Sequence, residues 1–300
     1  MGTKSVAASG QEETGPVEVN LVENGAAGYR MPTVFGPSPG PRYKADGTAW
    51  TREEVSASVH RVWVSFKTSR ESLERLLPTG LSLDRPVVTV ATTYLKNLWW
   101  LAGRGYNFLS VSIPVTTLPP FEDMMGDFIA VLWENLGDPI ITGREELGFP
   151  KLWAEIPDLE RDSDSALASA SWCGFSFAQV QIRGLVEQSR PNAAERPHIV
   201  AKYVPRTGNP GAADASYLVT SASPSGTPEP AADPKVTTRS WAGTGEVSFN
   251  TATFTELPTL FPIVNTLAAL EIDTVEAAGL SETEGADIRG AGMRPLEARS

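Results

Sequence analysis

Short runs of alternating apolar and polar residues, each closed by a Gly, Pro, Asn or Asp turn signal, occupy most of the middle of this chain, and they constrain its fold most. They are VHRVWVSFKT (59–68), RPVVTVATTYL (85–95), YNFLSVSIPVTT (106–117), FIAVLWEN (128–135), SALASASWCGFSFAQVQIRGLVE (165–187), HIVAKYVPR (198–206), ASYLVTSAS (215–223) and KVTTRSWAGTGEVSFNTATF (235–254). Period-two alternation rich in β-branched and aromatic residues reads as half-buried strand. Few helical patterns separate the runs. SRESLERLLPTG (69–80) reads as a short helix with Ser69 as N-cap and Pro78 to Gly80 as its stop. TLFPIVNTLAALEIDTVEAAGL (259–280) has helical spacing at Leu260, Val264, Leu267 and Leu270, with Pro262 in the first turn. The pattern predicts a mostly-β α+β fold, an antiparallel sheet closed or half-closed into a barrel with few flanking helices, and points away from a βαβ fold.

Residues 1–28 are polar, Gly-rich and without period, which predicts a mobile arm. A Pro/Gly-rich extended segment follows, held by Met31, Val34 and Phe35. One domain is expected over 29–280, with a polar, mobile tail over 281–300. The Pro-rich stretch 223–234 is expected to be an insertion between two paired strands.

Hydrophobic residues make up 41% of the 300, enough for a substantial core, and the formal net charge is -11. An acidic chain without a Lys/Arg run argues against nucleic acid as a partner. No run approaches the ~18 apolar residues of a membrane span, and no apolar leader opens the chain. The single cysteine, Cys173, suits a reducing, cytoplasmic setting and reads as a buried small hydrophobe in a strand. Two distant histidines, His60 and His198, make a poor metal site and read as structural or surface residues, so neither a metal nor a cofactor is expected. No dinucleotide, P-loop, zincin or nucleophile-elbow motif occurs, and GTGE at Gly243 reads as a turn.

The stretch GREELGFPKLWAE (143–155) has a different character. Pro150 fixes its own φ and biases Phe149 towards extended backbone, so the direction of Lys151 is tightly specified. Taken alone, it reads as a surface turn with a solvated lysine. GRE followed by a short apolar-aromatic stretch and PK resembles the signature of the acetoacetate decarboxylase family. The run VWVSFKTSRESLERLLPTGLSLDRPVVTV, the strand GYNFLSVSIPV and the helix after ELPTL are similar to further family segments, and the resemblance covers most of 59–280. It implies that Lys151 lies in a cavity and forms a Schiff base with a carbonyl substrate. A lysine activated by a cationic neighbour is the established example for this family.

The departures from the family pattern matter as much. The second lysine of its PKK is Leu152 here. The position of its catalytic glutamate, reached by aligning Tyr106-Asn107-Phe108, is Phe108. Its substrate-facing arginine aligns with Val59, with Arg61 on the same strand face as a substitute. Burial then remains as the lever that lowers the lysine pKa. Tyr94, Trp99, Trp100, Tyr106, Phe108, Trp133, Phe149 and Trp153 are expected to form a large apolar pocket, with Asn107 and Arg61 also lining it and Arg144 and Glu145 ordering the turn or polarising the substrate. The expected activity is lyase-like chemistry on a bulky apolar carbonyl compound of polyketide or terpenoid kind: decarboxylation, aldol or dehydration. A non-covalent cyclase and a non-catalytic small-molecule binder are the alternatives, and a homo-oligomer is possible.

Overall fold

The computed structural model describes residues 21–22, 25–189, 196–223, 233–289 and 292–298. Most of the arm over 1–28 and most of the loop over 223–234 lie outside the described residues. The strands are β1 (Ala57–Lys67), β2 (Leu81–Leu83), β3 (Val87–Lys96), β4 (Tyr106–Thr117), β5 (Met125–Glu134), β6 (Lys151–Trp153), β7 (Glu160–Arg161), β8 (Ser165–Trp172), β9 (Phe175–Gln188), β10 (His198–Arg206), β11 (Asn209–Thr220), β12 (Thr237–Phe249), β13 (Thr274–Ala286) and β14 (Arg294–Pro295). They form one 14-stranded sheet in the order β14-β11-β10-β5-β4-β3-β1-β13-β12-β9-β8-β7, with β2 on β4 and β6 on β5. The α-helices are α1 (Arg70–Glu74), α2 (Gly137–Thr142) and α3 (Phe261–Ala268).

The mostly-β α+β class is what the alternation predicts. The barrel is not: β14 and β7 end the hydrogen-bonded path without pairing to each other, so the sheet is open. It is also mixed, because β5 runs parallel to both β6 and β10. Ser69 caps α1 by accepting from the Ser72 N–H at 3.4 Å, and Pro262 sits in the first turn of α3, which buries Val264 and Leu267.

Six other expectations are corrected. The helical stretch read over 259–280 is only partly helical: α3 ends at Ala268 and residues 274–286 form β13, a strand whose burial is confined to Ala278, Gly279 and Leu280. The sheet therefore continues past residue 280, and Leu296 is buried as well. Cys173 is exposed, with φ 47° beside Gly174 at φ 85°, so it makes the tight hairpin turn from β8 to β9. GTGE lies inside β12, where a Cβ on Gly243 would meet the Arg183 carbonyl oxygen of neighbouring β9 at 2.6 Å; the register shift between Ala242 and Thr244 in the β12–β9 ladder, not a turn, requires that glycine. β11 and β12, joined by the Pro-rich stretch, are not paired with each other. Met31, Val34 and Phe35 are exposed and do not hold their segment.

Alternation gives the sheet two unlike faces. One carries the main core: Val62 and Val64 of β1, Val90 and Tyr94 of β3, Leu109 and Val111 of β4, Val131 and Trp133 of β5. The opposite face carries smaller clusters, one with Ile129, Leu132, Phe108 and Phe149, the other with Leu95, Trp99, Trp100 and Tyr106. The candidate site lies on this second face.

Candidate active site

Strand β6 places Lys151. It pairs in parallel with β5, with Leu132 opposite Lys151, Trp133 opposite Leu152 and Glu134 opposite Trp153. Neighbours across a sheet share a face, so Lys151 projects with Leu132 and Glu134, while Leu152 packs with Trp133 on the main core. A lysine at 152 would point away from Lys151. The missing second lysine thus reflects a position that serves the core.

The Lys151 side chain is buried beside a carboxylate. Its Nζ is 2.7 Å from Glu134 Oε1 and donates a 3.0 Å hydrogen bond to the Pro139 carbonyl oxygen. Lys151 is 7% exposed and Glu134 1%. The second oxygen, Glu134 Oε2, is buried and has no hydrogen-bond partner among the described residues. Phe149 offers its ring face to Nζ at 5.7 Å. Gly143, at the start of the π-helical turn Gly143–Leu147, makes the close approach possible, since a Cβ there would lie 2.6 Å from Nζ and overlap the Lys151 methylenes. π-Turns inside helices occur often at functional sites.

The electrostatics follow from burial. Removal from water pushes the Lys151 amine below the ordinary lysine value, the Glu134 charge opposes this, and Arg42 adds a smaller push downwards. Burial pushes the Glu134 carboxyl up, opposed by Lys151. Both groups are thus driven towards their neutral forms. An ordinary lysine is neutral in roughly one molecule in 2,500 at pH 7, so the site raises the nucleophilic fraction without a lysine at 152. Tyr106, within reach of the Glu134 charge, has its phenol held well above the ordinary value by burial first and that charge second.

Arg144 orders the turn: its Nη1 donates to the Lys151 carbonyl oxygen at 2.9 Å. Glu145 takes part through its main chain, whose carbonyl oxygen accepts from Lys202 Nζ at 2.6 Å. The next residue, Glu146, receives Arg30 Nη1 at 2.6 Å and Arg42 Nε at 2.9 Å, which clamps the segment before β1 onto the turn. Arg42 and Glu146, with Tyr43, Trp50, Arg289 and Met293, line a cleft of about 420 Å³ beside this turn, and neither Lys151 nor Glu134 is among its lining residues. Both cleft arginines are already engaged, Arg289 by Asp287.

Of the residues expected to line the pocket, Phe149, Phe108, Tyr106 and Trp99 belong to the clusters on the Lys151 face. Trp153 shares the face and is 42% exposed. One cross-strand row runs Arg61, Thr93, Phe108, Glu134 over β1, β3, β4 and β5; Arg61 is exposed, about three strand spacings of ~4.8 Å from Glu134. Tyr94 and Trp133 are corrected: period two puts both in the main core, away from Lys151. Asn107 is also buried elsewhere, donating to the Ile156 carbonyl oxygen at 3.0 Å. The sequence reading missed Glu134, Arg42, Arg30 and Glu146. Glu134 carried a readable signal, a charge ending the apolar run FIAVLW, and it is the direct Cα partner of Phe108, where the family pattern has its carboxylate.

Comparison with known proteins agrees with this frame. The acetoacetate decarboxylase (ADC) family model matches residues 30–283, and the chain belongs to that family. No curated protein sequence matches it. The fold is similar to an acetoacetate decarboxylase from Legionella pneumophila subsp. pneumophila str. Philadelphia 1 (TM-score 0.61, 16% identity, 94% of this chain and 99% of that one). It is also similar to an acetoacetate decarboxylase-like enzyme from Sphingomonas wittichii RW1 (TM-score 0.58, 17% identity, 81% and 93%). The enduracididine biosynthesis enzyme MppR, complexed with pyruvate, is a further neighbour (TM-score 0.57, 16% identity, 82% and 91%).

Proposed function

We propose that this protein is an acetoacetate decarboxylase-like enzyme whose Lys151 forms a Schiff base with a bulky, largely apolar carbonyl compound of polyketide or terpenoid kind. The observation that carries the reading is the buried Lys151 amine, 2.7 Å from Glu134 and pushed by burial towards its nucleophilic, neutral form. Nζ attack on the carbonyl carbon, with loss of the oxygen as water, gives an iminium. That group accepts electrons from the neighbouring carbon, as decarboxylation and aldol or dehydration chemistry both require. MppR, with pyruvate in one structure and a pyruvate–aldehyde condensation product in another, is a relative whose complexes contain a carbonyl acid and a condensation product.

Phe108, Phe149, Tyr106 and Leu132 on the Lys151 face support an apolar substrate. So does the engagement of the nearby arginines by carboxylates, which leaves a small anion few counter-charges. The 3.0 Å bond from Nζ to the Pro139 carbonyl favours a second reading, a non-covalent cyclase in which Lys151 is a hydrogen-bond donor. Turnover of ketones of increasing apolar area, each with and without a carboxylate, tests the substrate class. Rates that rise with apolar area support it; rates highest for small keto acids refute it.

A further inference from the structure

We propose that Glu134 is the proton-transferring carboxylate of this site, displaced by one strand from Phe108, and that the reaction it serves is proton abstraction beside the carbonyl. The inference rests on Lys151 forming the Schiff base and adds the residue and the reaction class.

The register supplies the first argument. Phe108 of β4 and Glu134 of β5 are directly opposed in an antiparallel pair, so their side chains leave the same face side by side. A carboxylate moved from one to the other stays against the same reacting centre. The second argument is reach. Oε1 is 2.7 Å from the nitrogen that would carry the substrate, and the carbon next to an iminium carbon lies two bonds from that nitrogen. Oε2 is buried and has no donor among the described residues, so one oxygen can hold Nζ while the other faces a substrate proton. The third is charge. A substrate carboxylate beside Lys151 would meet the Glu134 carboxylate in a site closed to water, and two such groups cannot both stay ionised at close range. A ketone whose reacting bond is C–H meets no such conflict.

The step balances as follows. The neutral amine of Lys151 attacks the ketone and the proton held on Glu134 goes to the departing oxygen, giving the protonated iminium, water and the Glu134 carboxylate. Glu134 takes a proton from the adjacent carbon, the C–H electron pair becomes the C=C bond of an enamine, and the C=N pair returns to nitrogen. Return of a proton from the Glu134 carboxylic acid and hydrolysis regenerate ketone and enzyme. In D2O the net result is exchange of hydrogen for deuterium beside the carbonyl.

The full-length protein is incubated with 2-octanone in D2O, and deuterium uptake is followed by NMR; borohydride trapping is read in parallel by intact mass. Wild type is expected to trap and to exchange. Glu134→Gln is expected to keep trapping, while exchange falls by about 10²-fold or more, the usual weight of a positioned base. Glu134→Asp, which withdraws the carboxylate by one methylene, should fall between them. The double variant Glu134→Gln/Phe108→Glu, which carries the group back across the register, should recover part of the exchange. Undiminished exchange in both single variants overturns the proposal. So does equal loss of trapping and exchange, which would make Glu134 a positioning residue for Lys151. Absence of trapping in wild type refutes the Schiff-base reading itself, and the proposal with it.

Discussion

Replacing either member of the buried pair should turn a pH-independent site into a pH-dependent one, with opposite slopes for the two partners. In wild type the unfolded chain holds one proton on this pair between about pH 6 and 9, on the lysine. The folded pair, 2.7 Å apart and almost sealed from water, also holds one, whichever group carries it. Folding moves no proton, so the pair adds no slope. Lys151→Met leaves Glu134 buried without its cation and raises its folded pKa further above the ordinary 4.5. The folded state then binds a proton that the unfolded state lacks. Stability falls by about 1.4 kcal/mol per pH unit from the unfolded carboxylate pKa up to the raised folded one. Glu134→Gln does the reverse. The folded lysine, its pKa lowered from 10.5 by burial, sheds a proton that the unfolded lysine keeps, so stability rises with pH between the lowered folded value and the unfolded one. Urea midpoints at pH 5.5, 6.5, 7.5 and 8.5 measure both. Over this range the Lys151→Met midpoint should fall with each rise in pH until the raised Glu134 value is passed, while Lys151→Met/Glu134→Gln should follow wild type. A flat profile for Lys151→Met would mean that Glu134 is hydrated, and would remove the basis for a depressed lysine.

Three further outcomes follow from the same geometry. Gly143→Ala should cost about 1–3 kcal/mol in thermal or urea unfolding, the usual effect of overpacking, and reduce turnover by on the order of 10²-fold by displacing Nζ; unchanged kinetics would show that Lys151 does not need the bare backbone. Carbon dioxide release from acetoacetate should be slight, because Glu134 already occupies the anion position beside Nζ; ordinary enzymatic turnover, about 1–10³ s⁻¹, would contradict that. Phe108→Glu should raise the Lys151 pKa by adding a second carboxylate, so that the pH at which trapping reaches half its maximal rate moves upwards; an unchanged or lower midpoint would show that position 108 does not face the amine.

The strands were legible because one side of the sheet is a continuous core. From 106 to 113 the run alternates between half-buried and buried positions, and its limits, 106 and 117, coincide with β4. β13 was not legible, since its faces are built from Thr, Glu, Ala and Gly and its packing is supplied by β1 and β12, far away in sequence. Openness of the sheet was illegible for a related reason: which strands stay unpaired at the edges depends on the pairing order, and alternation carries no such information. At the site, Lys151 could be read because Pro150 and the family signature mark it. Its partner could not, because Glu134 is 17 residues earlier and meets Lys151 only through the parallel pairing of β5 with β6. Aromatic residues were overassigned to the pocket for want of parity. Tyr94 and Trp133 differ by one position from residues on the site face, and one position is enough to put a side chain on the other side of a sheet.

The central claim is that burial, acting against the Glu134 charge, makes Lys151 a nucleophilic amine towards an apolar ketone. Incubation of wild type with 2-octanone and borohydride, followed by intact mass and peptide mapping, tests it most directly. The account predicts one reduced adduct per chain, located on Lys151 and absent from Lys151→Ala, whose folding at the same pH is checked by circular dichroism. No adduct, or adducts spread over surface lysines such as Lys67 and Lys96, would contradict it.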